Sequence, residues 1–308
     1  MSQITLFSTP KPFVDPHISM IQKNAIKSWI ALGDQVEIFL IGEETGVKEV
    51  AAEFGVRYFP EVKRNAQGTP LVSSIFQIAH ANSSSELLAY INADIILFED
   101  FVKSAKIISD LYKEFLLVGQ RWDLDVTHDV DFKANWQLKL QKELRNSGKL
   151  HPRGGSDYFI YPKTCFKDIP EFAIGRAGWD NWMFFEARTK HWPLIDTTES
   201  IQIIHQQHDY RHLPNGQPHY RLPESDVNMK LAGGEIAIFN LIDTDRRLCD
   251  GKIRPPKLSI GKILREIEIF PLVHLKSKKL GWLFYALFHP RWGYWYIRKF
   301  FGKVLKRK

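Results

Sequence analysis

Three short stretches hold residues whose types and spacing could do chemistry. In Leu87–Asp100 (LLAYINADIILFED) an amide and a carboxylate, Asn92 and Asp94, interrupt a run that otherwise wants burial. A buried charge is costly unless something pairs it, so either the chain turns at Asn92 or a partner such as a cation meets Asp94. In Gly175–Trp182 (GRAGWDNW) a glycine-flanked turn delivers Asp180 to the start of a helix, between two tryptophans. In Ile203–Tyr210 (IIHQQHDY) His205 and His208, with Asp209 beside them, follow an apolar strand. Neutral imidazole mixed with carboxylate suits a divalent ion of the Mn²⁺ or Zn²⁺ kind. Each group also has an ordinary use: Asn92 and Asp94 as turn formers, Asp180 as a helix cap, the histidines as structural polar groups.

The elements that must position these groups alternate. Strand patterns at Gln3–Ser8, Gln35–Ile41, Gly55–Phe59 and Leu87–Asn92 are separated by helical spacing at His17–Leu32, Glu44–Phe54 and Leu71–Ala81. A further helix at Glu99–Tyr112 precedes a strand at Phe115–Gly119. Such alternation implies βαβ units and a mainly parallel α/β sheet. Asn92 and Asp94 fall at the carboxyl end of the fourth expected strand, where open α/β sheets bind ligands. The second half is less regular, with helices expected at Trp136–Arg145 and Trp179–Thr189 and strands at Asp157–Tyr161 and Ile201–Ile204. Arg211–Glu224, polar and flanked by prolines, reads as a mobile surface loop.

Composition bounds the class. With 44% hydrophobic and 25% charged residues the 308-residue chain is globular rather than disordered. Two cysteines give no disulfide framework and no metal-ligand spacing, and MSQITLFSTP lacks a basic-then-apolar leader, so a cytoplasmic protein is expected. The net charge of +7 hides an asymmetry: from Pro256 onward 13 Lys and Arg face two Glu, giving +11 and leaving −4 for the body. This tail interleaves its basic residues with Trp, Tyr and Phe. That suits either a helical pair packed on the main domain or contact with an anionic membrane surface through 256–308 on the inner face. No nucleic-acid module is present, and none is expected as partner.

The ordered set of motifs resembles the GT-A class of nucleotide-sugar glycosyltransferases, of the family-2 kind, over about residues 1–215. In that class a strand ends in Asp-x-Asp, here Asn92-Ala93-Asp94. Other literal matches, at Asp123-Leu124-Asp125, Asp129-Val130-Asp131 and Asp243-Thr244-Asp245, follow no apolar strand of comparable length. The resemblance implies a GT-A fold, with 1–225 as the transferase domain and 226–308 as a helical, basic and aromatic extension. It implies a divalent cation, Mn²⁺ or Mg²⁺, held by Asp94 with His205 or His208. It places the nucleotide of the sugar donor at Thr9, Pro10, Arg64, Gly68 and Asn92. It makes Asp180 the catalytic base of an inverting transfer and puts Arg121, Trp122, Asp157, Trp179 and Asn181 on the acceptor side, the acceptor being a glycan or a lipid-linked glycan. Asn92 in place of the first carboxylate lowers the site's negative charge. Two other readings stand beside the transferase: a metal-dependent hydrolase using His205, His208 and Asp209, and a non-catalytic sugar-binding relative.

Overall fold

The computed structural model describes residues 3–208, 219–291, 293 and 294. The expected alternation is present. β1 (Ile4–Ser8), α1 (Pro16–Ile30), β2 (Val36–Ile41), α2 (Val47–Phe54), β3 (Arg57–Phe59), α3 (Val72–Asn82) and β4 (Leu87–Ile91) follow one another, and β1 pairs in parallel with both β2 and β4. α1 opens on Asp15, whose carboxylate accepts from Ile18 N, with Pro16 at its first position. α3 starts at Val72, capped by the Leu71 backbone, so Thr69 and Pro70 lie in the loop and do not start the helix.

The main sheet runs β13-β12-β10-β6-β9-β4-β1-β2-β3. Its far half comprises β6 (Leu116–Val118), β9 (Tyr158–Pro162), β10 (Leu194–Asp196), β12 (Arg246–Cys249) and β13 (Lys252–Arg254). β9 is antiparallel to β4 and β6, and β13 to β12; the other pairs are parallel. A second sheet, β5-β11-β7-β8, joins β5 (Ile95–Leu97), β11 (Ile203–Gln206), β7 (Trp122–Leu124) and β8 (Lys149–Leu150).

Period-two alternation assigns a helical layer to each face of the main sheet. Ile4 and Leu6 of β1, with Leu87, Ala89 and Ile91 of β4, pack against α1, α2 and α4 (Asp100–Ser109). Phe7, Leu88 and Tyr90 face the other way, against α3, α6 (Trp179–Thr189) and α8 (Ile260–Val273). A smaller core gathers Ile96, Leu124 and Ile204 of the second sheet around Trp136, Leu140 and Leu144 of α5 (Trp136–Ser147). The mainly parallel α/β sheet flanked by helices, with a helical C-terminal extension, is thus the observed architecture.

Two expectations need correcting. Residues 219–221 form a 3-10 turn and α7 (Pro223–Ala232) begins at Pro223, so the end of the expected mobile loop is helical; 209–218 lie outside the described residues. Residue 225 falls inside α7, and β12 and β13 complete the main sheet, so the sheet continues well past that boundary. Beyond it, α8 and α9 (Lys278–Phe288) form a hairpin.

Candidate active site

The strand order reverses at β1: β2 and β3 lie on one side, β4 on the other. The carboxyl ends of β1 and β4 therefore open a crevice at a switch point, where ligands bind in such sheets. The polar break in LLAYINADIILFED sits there. β4 belongs to the main sheet and β5 to the second, and Asn92–Asp94 is the turn between them, closed by Ile95 N donating to Asn92 O at 3.2 Å. The apolar run is two strands of two sheets, and the carboxylate stands at the joint.

Asp94 is 8% exposed. His208 Nε2 lies 3.0 Å from its Oδ2, His205 Nε2 3.9 Å, and Lys11 Nζ 3.7 Å. Lys11 Nζ is also 3.0 Å from His208 Nε2. Burial alone would raise the Asp94 carboxyl, but His205, His208 and Lys11 outweigh it and hold the group far below the usual carboxylate range. Among the described residues Asp94 Oδ1 has no hydrogen-bond partner, although it is buried. One ligand atom from each of Asp94, His205 and His208 falls within 4.8 Å of the others. A buried orphan oxygen and two imidazoles on one carboxylate fit a divalent cation. His205 lies within β11 and not at its end; His208, just beyond the strand, makes the closer approach to Asp94.

A carboxylate lies behind His205. His205 pairs in register with Asp123 on β7, and its Nδ1 lies 3.2 Å from Asp123 Oδ1. The contact is an ion-pair approach only, since among the described residues His205 Nδ1 is buried without a hydrogen-bond partner. Asp123 also receives Arg121 Nε at 2.9 Å and contacts His151 Nδ1 at 2.7 Å. Arg121 forks onto both oxygens of Asp157, at 2.9 and 3.0 Å, and Asp157 Oδ1 accepts Asn92 Nδ2 at 2.7 Å. This last bond explains Asn92. An aspartate there would set two carboxylates against each other, whereas the amide supplies the donor that Asp157 needs. Arg121 and Asp157, expected on the acceptor side, are committed to one another.

Asp180 stands in the first turn of α6, after Gly178 at the cap with φ 106°. Asp180 is thus not the cap residue. Burial, joined by the charge of Asp157, pushes its pKa up to about 6 against the pull of the nearby backbone N–H groups. Gly155 makes room for it: a Cβ at 155 would lie 2.6 Å from Asp180 Oδ2. Asp157 therefore couples electrostatically to Asp180 while it binds Arg121 and Asn92.

No protein-family model and no curated protein matches the chain. Solved structures similar to it include a mannosyltransferase from Pyrobaculum calidifontis in complex with GDP-Man and Mn²⁺, 8% identical, covering 66% of this chain and 56% of that one, TM-score 0.44. Another is TarS residues 1–349 from S. aureus in complex with UDP-GlcNAc, 12% identical, covering 77% and 66%, TM-score 0.49. A third is glucosyl-3-phosphoglycerate synthase from Mycobacterium tuberculosis in complex with Mn²⁺, UDP and phosphoglyceric acid, 16% identical, covering 76% and 79%, TM-score 0.47. The chain spans less than two thirds of the length of the first two. Likeness at this level transfers no residue role.

The remaining expected residues divide. Thr9 and Pro10 follow β1 at the crevice, next to Lys11. Arg64 ties Glu44 through Nη2 at 2.8 Å and Gly68 O through Nη1 at 2.9 Å. Among the described residues, Thr9 Oγ1 and Glu44 Oε2 are buried without a hydrogen-bond partner, and Gly42 leaves room between them. Thr9 and Glu44 thus bring unsatisfied polar atoms to the ends of β1 and β2, with Arg64 paired to Glu43 and Glu44 beside them, and Gly68 enters only through its carbonyl.

Trp179 is 6% exposed and packs edge-on against Tyr90 and Phe76, so its ring is core and offers no sugar platform. Trp122 points into the smaller core, opposite Asp123. Asn181 Nδ2 donates to Phe239 O at 2.6 Å and fastens α6 to a later loop. Lys11, Asp123, His151 and Glu44 were missed as site residues. For Asp123 the signal was available: strand alternation places it opposite the core-facing Trp122 and Leu124. Asp209, third member of the hydrolase cluster, lies outside the described residues.

Proposed function

We propose that the protein is a GT-A-type glycosyltransferase that moves a sugar from a nucleoside-diphosphate sugar to a hydroxyl of a glycan or lipid-linked acceptor, with inversion. The observation that carries this reading is the meeting of Asp94, His205 and His208 at the β1–β4 crevice, coupled through Asn92 and Asp157 to a carboxylate, Asp180, with pKa about 6. Thr9, Pro10, Glu44 and Arg64 receive the nucleotide at the ends of β1 and β2. Asp94, His205 and His208 would hold the divalent cation, Mn²⁺ or Mg²⁺, which when bound offsets charge on the departing diphosphate. Asp180 takes the proton of the acceptor hydroxyl as its oxygen bonds to the anomeric carbon and the bond to the diphosphate oxygen breaks. A base with pKa about 6 is largely ionised at neutral pH yet still basic enough to accept that proton.

Lys11 favours a second reading of the same site. Its ammonium already lies between Asp94 and His208, so it could neutralise a diphosphate without metal. Turnover that survives chelation by EDTA and falls in Lys11→Met selects this version; loss on chelation selects the cation.

Thermal-shift measurements with UDP-, GDP- and dTDP-sugars, with and without Mn²⁺, followed by assay of released nucleotide, test the whole reading. Asp180→Asn is expected to lower turnover about 10²–10⁴-fold while the sugar-nucleotide shift persists. Normal turnover in that variant removes Asp180 as base. Absence of any sugar-nucleotide shift overturns the transferase, and phosphoester cleavage without an acceptor selects the hydrolase.

A further inference from the structure

The α8–α9 hairpin has two unlike faces. Its inner face is tied to the body: Ile269 and Val273 are buried in the main core, and Glu266 pairs with buried Arg188 and Lys262. On the outer face Ile260, Ile263, Leu264, Ile267 and Phe270 are between 46% and 79% exposed. Their spacing is one helical stripe. On α9 the same holds for Leu280, Leu283 and Leu287, at 39% to 66%. A groove of about 540 Å³ places Phe284 of α9 beside Ile263, Ile267 and Phe270 of α8, so the two stripes are adjacent. Single exposed apolar residues need no explanation, but a contiguous patch of this kind marks an interaction surface.

Charge decides what covers it. The turn joining the helices exposes Leu275 together with Lys276, Lys278 and Lys279. After Glu268 the sequence holds ten Lys and Arg and no Asp or Glu. The two hairpin acids are spent inward: Glu266 on Arg188 and Lys262, and Glu268 on Arg265 and His289. An apolar stripe rimmed by uncompensated lysines matches an anionic bilayer surface, with the helices lying in the interface. A second copy would bring the same positive charges against this face. No described helix is long and apolar enough to cross a membrane, so docking is in the plane.

We propose that the outer face of the α8–α9 hairpin, with its basic tip, docks the protein on an anionic lipid surface. This goes beyond the transferase reading and does not depend on it. Cosedimentation of the full chain with vesicles of phosphatidylcholine, with and without phosphatidylglycerol, tests it. Binding is expected only when phosphatidylglycerol is present, and weakens as salt rises. Ile263→Glu combined with Ile267→Glu, both at half-exposed positions, should weaken it at least about tenfold with an unchanged melting temperature. Lys276→Glu with Lys279→Glu provides an independent variant at the tip and should also release the protein. Three results overturn the proposal: no sedimentation with anionic vesicles, equal binding by a folded double variant, or a dimer in light scattering that the variants dissolve without any vesicle binding.

Discussion

At the scale of the residue, the site turns on carboxylates placed in unlike surroundings. Asp94 is held ionised by His205, His208 and Lys11, whereas burial and Asp157 push Asp180 up to about 6. Separation of this kind is how acid and base roles are divided in a site. The rate with Asp180 as base should therefore rise as pH passes through about 6 and level off above it, a limb read from kcat against pH. The same group has a stability signature of defined sign. Its folded pKa lies above the unfolded value of 3.8, so it weakens the fold as pH rises from about 4 to about 6, and the full cost is present above that. Asp180→Asn should raise stability at pH 7.5 by roughly 1–3 kcal/mol and leave it little changed at pH 4, as read by thermal melts. Equal effects at both pH values would remove the shift. The positions of Asp94 at a strand end and of Asp180 in the first turn of a helix were legible because each sits beside a local signal, an apolar run or a glycine turn. The reason for Asn92 was not, because the carboxylate it serves, Asp157, arrives on another strand.

At the scale of the element, helix starts and long strands were readable and short strands were not. β5, β7, β10 and β13 have three residues each, too few for a period of two to stand out, whereas β3 and β6, equally short, were legible because each follows an expected helix. The second sheet, which presents His205 and Asp123, was therefore invisible even though His205 lay in a stretch marked for chemistry. Trp179 misled for a related reason. Aromatics beside a glycine turn read as a sugar platform, yet α6 buries Trp179, Trp182 and Met183 against the sheet. The attachment of α8 to α6 carries a test of its own. Arg188 is 5% exposed and its guanidinium forks onto Glu266, at 3.0 and 2.8 Å. Glu266→Ala leaves that charge buried without its main partner, and a loss of about 3–5 kcal/mol is expected in urea melts. The Glu266 pKa falls from 4.5 to about 2, because Arg188 and Lys262 outweigh the burial that would raise it. Its contribution is thus present above about pH 4.5 and fades as pH falls toward 2, so the variant and the parent should converge in acid.

At the scale of the whole molecule, the C-terminal segment is both part of the fold and the source of an outward face. β12 and β13 extend the main sheet, and α8 closes one of its helical layers. Removing residues 256–308 should consequently abolish a cooperative thermal transition, seen by circular dichroism, because Ile269, Leu272 and Val273 leave the core. A truncated protein that melts like the parent would show the hairpin to be an appendage. The sequence indicated a basic, aromatic extension but not that it begins inside the sheet's own architecture. That fact depends on β12 finding β10, a pairing between Ile195 and Arg246 that no local pattern records.

The antiparallel strand β9 also sets the order in which the sheet can be completed. It fills the gap between β4 and β6, so β4 keeps an open edge on that side until residues 158–162 have been made. At about 5–20 residues per second of synthesis, that edge waits several seconds while everything from the Asn92–Asp94 turn through α5 is still being added. LLAYI, buried on both faces in the finished protein, is the most adhesive kind of strand to leave uncovered. The joint that carries Asp94 thus lies beside a gap in the central sheet that closes only with β9, and the crevice takes shape late in the life of the nascent chain.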